Sequence, residues 1–133
     1  AERGWASILS AEEHYNAAIG LNMNYWGIDD QAAIDAYLAQ ESVAYSTADG
    51  AWNEKIGRQK WVALYMQGYE GWAEYRRLDF GLLQACADGA LQGDGSVPAR
   101  FEYPIDEQTL NNANWSAASA GNSWNDKMWW DVN

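Results

Sequence analysis

Apolar residues recur three or four positions apart in the segment SAEEHYNAAIGLNMNYWG, residues 10–27. That spacing is the period of one face of an α-helix. Ser10 and Glu13 stand at the spacing of a capping box, in which each side chain binds the backbone N–H of the other residue. Gly27 supplies a common stop at a helix C-terminus. The pattern therefore predicts a helix over Ser10–Trp26.

A second, shorter helix is predicted to start near Asp29 or Asp30, with Ile34 among its inward-facing residues. The segment QESVAYSTADG, residues 40–50, follows it. Its serine, threonine, aspartate and glycine residues all favour turns. We therefore expect a polar loop after the second helix.

A long helical pattern runs from about Ala51 to Arg77 and carries apolar residues on two faces. A helix that is apolar on two sides is normally enclosed by neighbouring elements. Glycine lowers helix stability by about 1 kcal/mol relative to alanine, and two glycines fall in the second half of this pattern. A bend or break is therefore expected near Gly68.

The helical pattern weakens beyond Phe80. GLLQACADGALQGDGS (81–96) predicts a short helix or turn. VPARFEYP (97–104), which lies between two prolines, predicts a short edge strand or an extended segment. EQTLNNANWSAASAG predicts a further short helix before an aromatic tail. The chain is thus predicted to be mostly helical, with residues 1–80 helical and residues 81–133 mostly irregular with short helices.

Charge and composition narrow the range of partners. Nineteen acidic residues against eight basic ones give a formal charge of −11. This balance argues against nucleic-acid binding, which needs a basic surface, and against attraction to an anionic membrane. Cys86 is the only cysteine, so the chain can form no internal disulfide. No apolar run approaches the roughly 20 residues of a membrane span.

The acidic and histidine residues do not form a recognisable catalytic set. Glu70 and Glu74 would share a helix face, but such pairs commonly form a solvated surface or pair with arginine, here Arg77. His14 is the only histidine, which leaves no second imidazole for a metal site and no obvious Ser–His–Asp system. We therefore predict no catalytic residue, no metal and no cofactor.

The aromatic composition is more informative, since nine Trp and eight Tyr stand against two Phe. Trp and Tyr rings stack on the C–H faces of sugars, while Asn, Asp and Arg side chains bind the hydroxyl groups. A pocket with aromatic walls and a few polar groups therefore suits a glycan. Most of the rings nevertheless lie at periodic positions, so Trp52, Trp61 and Trp72 are predicted to be structural.

Tyr45 and Trp124 stand in polar, loop-like segments and are predicted to be exposed. Neighbouring asparagines supply amide groups that suit sugar hydroxyls. The candidate ligand-binding residues are Trp124, Tyr45, Asn122 and Asn125. The alternative is that Trp124 packs onto Trp129 and Trp130 as a small cluster, because large aromatic residues are highly buried on average.

Three segments, in this order, resemble the C-terminal part of the SusD/RagB family, and more closely its SusD-like nutrient-binding outer-membrane lipoproteins. They are EKIGRQKWVALYMQGYEGWAEYRR, VPARFEYPIDEQTLNNANWSAA and KMWWDV. The resemblance runs from about Tyr15 to the last residue. Two places depart from the family pattern: Leu78–Gly81 stands where a Thr-Gly-Tyr-Pro sequence is usual, and Gly121–Trp124 where a Gly-Gly-Asp-type loop is usual.

The resemblance implies an all-α fold of tetratricopeptide-like helix pairs, of which residues 1–133 would be the C-terminal fragment of a single SusD-like domain. The full-length protein would be about three to four times longer. Its lipid anchor would sit on an N-terminal cysteine outside this chain, at the cell-surface side of the outer membrane of Bacteroidetes-type bacteria. Its partners would be a TonB-dependent, SusC-like transporter and an oligosaccharide or, in some members, a peptide.

The resemblance also implies structural roles for the mixed aromatic and charged helices. At least one of Arg76 and Arg77 is expected to be largely buried and bonded to the segment after Phe80 or to an acid such as Glu74. The predicted structural residues are Arg76, Arg77, Trp61, Trp72, Trp129 and Trp130. The alternative function is a tetratricopeptide-type scaffold that binds peptide or protein, which regular 34-residue repeats upstream would indicate.

Overall fold

The computed structural model describes residues 1–81, 83–84, 97–119 and 126–131. These residues form the helices α1 (Ala11–Tyr25), α2 (Gln31–Leu38), α3 (Trp52–Ala63), α4 (Gly68–Leu78), α5 (Ile105–Leu110) and α6 (Asn112–Ser119). Within the described ranges there is no β-strand, and the prediction of an all-α fold is confirmed. No helix in these ranges has the length and hydropathy needed to cross a membrane.

Helix α1 begins and ends where its capping residues predict. Glu13 donates its backbone N–H to the Ser10 hydroxyl at 3.2 Å, and Ser10 donates its own N–H to the Glu13 carboxylate at 2.8 Å. Both bonds of the predicted capping box are therefore present. Gly27 adopts a φ of +86° just after the helix, a conformation that glycine reaches without the steric penalty of a Cβ atom.

Helix α2 also starts at its predicted cap, because the Asp30 carboxylate accepts the Ala32 N–H at 3.0 Å. Ile34 is buried, as expected. The segment that follows consists of turns over most of its length. Val43 and Ala48 within it are nevertheless buried, so this loop contributes to the core although its composition is polar.

The long pattern from residue 51 to residue 77 forms two helices, and the predicted break near Gly68 is confirmed. Helix α3 ends at Ala63 and α4 begins at Gly68 itself. Met66 lies in the connection with a φ of +68°, in the left-handed region that side chains rarely adopt. The sharp reversal lets α4 pack back against α3.

The chain divides into two compact units, Ala1–Gly81 and Leu82–Asn133, each described by itself. In the first unit α1 packs against α2 and α3. Tyr15, Ile19 and Val43 form its buried core. The Tyr15 hydroxyl donates to the Val43 carbonyl at 2.7 Å, which satisfies both polar groups where water is excluded.

In the second unit α5 packs against α6, so the single short helix predicted here is in fact a pair of helices. Asn111 separates them, and its side chain donates to the Glu107 carboxylate at 2.9 Å and accepts from Asn114 at 2.7 Å. Such local side-chain bonds compete with helix formation. Residues 97–104 were predicted to form an edge strand or an extended segment. They form no strand, so the extended segment is the alternative that remains. Most of segment 81–96, with Cys86, lies outside the described residues.

Candidate functional site

A groove of about 770 Å³ runs along α1 and α3 in the first unit and is also lined by the N-terminal segment. Its walls are mainly apolar and include the aromatic residues Trp5, Tyr15, Trp26, Tyr37 and Trp52. Its polar and charged lining includes Arg3, His14, Asn22, Gln59, Lys60 and Arg77. An apolar cavity of this size with a few polar groups is typical of ligand sites.

Three aromatic rings, Tyr25, Trp26 and Tyr65, meet at one end of α1; we call them the aromatic corner. The Tyr25 and Trp26 ring centroids are 5.4 Å apart with an interplanar angle of 86°. Those of Trp26 and Tyr65 are 6.1 Å apart with an angle of 65°. The side chains are 78%, 51% and 66% exposed, in that order along the chain. The corner therefore exposes aromatic surface, and Trp26 joins it to the groove.

Sequence reasoning missed this corner, because Trp26 was predicted to be the last residue of the first helix. In the structure Trp26 follows the last helical residue and is the C-cap. Beyond that point the helical period no longer determines where a side chain points. The adjacent Gly27, which marks the end of the helix, was the available signal that Trp26 leaves the core face.

Tyr45, a predicted ligand-binding residue, packs against the core. Its ring meets the ring of Tyr15 edge-on, with centroids 5.1 Å apart, and Lys55 lies over it at 5.4 Å. The Tyr45 hydroxyl donates to the Glu2 carboxylate. Burial, together with this bond and the charge of Glu2, raises the pKa of Tyr45 to about 12. Its role in ligand binding stays a prediction.

The remaining predicted ligand-binding residues, Trp124, Asn122 and Asn125, lie outside the described residues, so the choice between an exposed Trp124 and an aromatic cluster stays open. Trp129 is 86% exposed and Trp130 is also exposed. The structural role assigned to these two tryptophans stays a prediction.

The arginine pair of α4 makes two different kinds of contact. The Arg77 guanidinium binds Glu74 with an Nη2–Oε2 distance of 2.5 Å, and Lys60 binds the same oxygen at 2.8 Å. Arg77 is half exposed, and it also lines the groove. Arg76 lies over the Trp72 ring, 3.8 Å from its centroid, at a distance where a cation–π interaction is favourable. The expected bond to Glu74 is thus present, but it comes from Arg77, which is exposed and not largely buried as expected.

Trp61 links α3 to α4 although it is 44% exposed. Its ring lies against the buried Gly71, where an added Cβ would meet the ring at 3.0 Å. The absence of a side chain at Gly71 therefore lets the two helices approach closely. This contact is consistent with the structural role predicted for Trp61.

We expect Glu74→Gln to lower the free energy of unfolding by about 1 kcal/mol at neutral pH, because Glu74 holds Lys60 and Arg77 together at a partly exposed site. Burial by itself raises the pKa of Glu74, but the bonds from Arg77 and Lys60 outweigh it and hold the pKa below its ordinary value of 4.5. The stabilisation is therefore present above pH 4.5 and is lost as the pH falls through the lower pKa of the folded state.

Urea unfolding as a function of pH measures this effect, and Glu70→Gln, an exposed change in the same helix, is the control. The difference between wild type and Glu74→Gln should shrink in acid, whereas Glu70→Gln should differ little from wild type at any pH. If Glu74→Gln still lowers the free energy of unfolding by the same amount at the lowest pH, the charge-pair explanation is contradicted.

The described residues thus define a helical protein that carries an apolar groove and exposed aromatic rings. A family model described as "Starch-binding associating with outer membrane" matches residues 1–104. The chain belongs to this SusD-like family. No curated protein matches the sequence significantly.

Two solved structures share the fold along nearly the whole chain. One, described as Bacteroidetes AC2a SusD-like, superposes with a TM-score of 0.73 at 26% identity over 96% of this chain. The other, a chitin-binding protein, superposes with a TM-score of 0.72 at 30% identity over 99% of this chain. The chain spans only 27% and 30% of the length of these two structures, respectively.

Proposed function

We propose that this chain belongs to a cell-surface protein that binds glycan and delivers it to a TonB-dependent transporter of the outer membrane. The observation that carries the proposal is the match of residues 1–104 to a family described as starch-binding and associated with the outer membrane. The chitin-binding protein among the similar structures supports the same kind of ligand.

The chemistry of the first unit suits this function. The groove offers aromatic walls with amide and cationic groups near them, and the aromatic corner offers exposed rings. Sugars present apolar C–H faces as well as hydroxyl groups, so they need both kinds of contact. The proposed role is binding without catalysis, with no cofactor.

The proposed partner is a SusC-like transporter, and the proposed location is the cell-surface side of the outer membrane. The lipid anchor would lie outside this chain, as in the lipoproteins that it resembles. The formal charge of −11 makes an anionic membrane surface or a nucleic acid an unfavourable direct partner.

A second candidate function is a helical scaffold that binds peptide or protein. The observation that favours it is the largely apolar groove along α1 and α3, because an amphipathic helix docks its apolar face into such a groove.

The test combines ligand titration with partner capture. The full-length protein, purified from outer membranes under mild conditions, is expected to bring a TonB-dependent transporter with it. Calorimetric titration with maltohexaose and chitohexaose is expected to show binding of at least one of them. Absence of the transporter, together with no heat from either glycan, would overturn the proposal, and binding of an amphipathic peptide library instead would favour the scaffold.

A further inference from the structure

The groove along α1 and α3 follows one continuous face of each helix. Its lining residues recur three or four positions apart, as in Ala11, Tyr15 and Ala18 of α1 and Ile56, Gln59 and Ala63 of α3. The row in α1 continues to Met23, which lies about 18 Å from Ala11 at the rise of an α-helix. The groove is therefore elongated, and its alanines leave room for a close neighbour.

A helix suits the shape of this groove. A helix about 18 Å long and about 10 Å wide has a volume of roughly 1,400 Å³. The groove, with about 770 Å³, would take up about half of that volume, which corresponds to one face of the helix. The walls of the groove are mainly apolar, so the buried face of such a helix would be apolar as well.

Charge distinguishes the groove from the rest of the chain. The whole sequence has nineteen acidic residues and eight basic ones. Among the described residues that line the groove the order is reversed, with Arg3, Lys60 and Arg77 against Glu2. Lys60 and Arg77 share a single carboxylate, that of Glu74, so this cluster of three side chains carries a net positive charge. An occupant with carboxylates beside its apolar face would complement that charge.

The length of the similar structures indicates where such a helix comes from. The chain spans only 27% and 30% of the two solved structures that share its fold, so more than two thirds of each lies outside the matched part. A segment of the same polypeptide would meet the groove at a high effective concentration, because the chain tethers it. A second copy or a separate protein lacks this advantage, so the same polypeptide is the favoured source.

We propose that an acidic amphipathic helix, supplied by a part of the full-length polypeptide outside residues 1–133, packs into the groove. Its apolar face lies on the walls of the groove, and its carboxylates lie beside Lys60 and Arg77. This inference goes beyond the proposed function, which rests on the family match and does not need the groove to be open. With the groove filled, the glycan would bind elsewhere on the full-length protein.

Thiol labelling of the full-length protein measures whether the groove is covered. Val62 and Ile28 line the groove and are 57% and 42% exposed, whereas Leu21 of α1 is 70% exposed and does not line it. Val62→Cys and Ile28→Cys are each expected to react with a maleimide at least about tenfold more slowly than Leu21→Cys, because a packed helix must open before the thiol can react. Peptide mass spectrometry quantifies each introduced thiol, and thermal unfolding verifies that each variant is folded.

A photo-cross-link identifies what covers the groove. Val62→p-benzoylphenylalanine in the full-length protein is expected to cross-link within the polypeptide, to a segment outside residues 1–133 that has a helical apolar period and more acidic than basic residues. A cross-link to another protein or to a second copy, which gel mobility reveals, would overturn the proposal. So would a cross-link to a segment without excess acidic residues, no cross-link at all, or groove thiols that react as fast as Leu21→Cys. None of these outcomes affects the proposed function, which glycan titration and transporter capture test separately.

Discussion

Leu78→Ala should lower the free energy of unfolding by about 3 kcal/mol, which lies within the range for truncating a buried leucine. Leu78 is 2% exposed at the end of α4. The Leu78 carbonyl also accepts a hydrogen bond from the Asn53 amide of α3 at 2.8 Å. The cavity left by Leu78→Ala would therefore remove apolar contacts close to the hydrogen bond between α3 and α4.

Urea denaturation followed by far-UV circular dichroism measures this loss, and Leu21→Ala is the matched control. Leu21 lies in α1 and is 70% exposed, so its truncation should change stability by less than about 0.5 kcal/mol. Similar losses for the two variants would show that Leu78 is not a core residue of the folded protein.

Gly57→Ala should destabilise the protein by about 2 kcal/mol, although alanine is the better helix former. Gly57 is buried in α3, and a Cβ there would overlap the ring of Phe80 and meet the Phe80 Cβ at 2.8 Å. Phe80 is itself buried and its ring contacts Tyr75, with centroids 5.3 Å apart. Its ring therefore has little room to move away.

The control is Gly20→Ala in α1, where the nearest atom to an added Cβ is Ile34 Cγ2 at 3.7 Å. That distance is an ordinary contact, so the gain in helix propensity should dominate and stabilise the protein by about 0.5–1 kcal/mol. The two changes are chemically identical and should have opposite signs in thermal unfolding. A stabilising Gly57→Ala would contradict the close packing of Phe80 on α3.

Most of the helix boundaries in the first unit could be predicted, because local chemistry decides them. Ser10 and Glu13 bind each other's backbone three residues apart, and the Asp30 cap of α2 acts over two residues. Such bonds need no distant partner. The break near Gly68 followed from glycine propensity in the same way.

The candidate site was harder to predict, because exposure depends on distant residues. Tyr45 stands in a polar segment, yet its ring is placed against Tyr15 of α1 and beside Lys55 of α3. Val43 is buried within the same segment. Composition describes the average environment of a segment, whereas packing selects single side chains from it.

The sequence by itself determined where the capped helices α1 and α2 begin, and that no internal disulfide can form around the only cysteine. These properties depend on residue counts and on neighbours within one helical turn. Only the tertiary structure decided that Gly57 accommodates Phe80, and that Trp26 meets Tyr65 in an exposed corner. Each of these contacts joins residues far apart in the chain, and the packing of α1, α3 and α4 brings them together in a way that local periodicity does not specify.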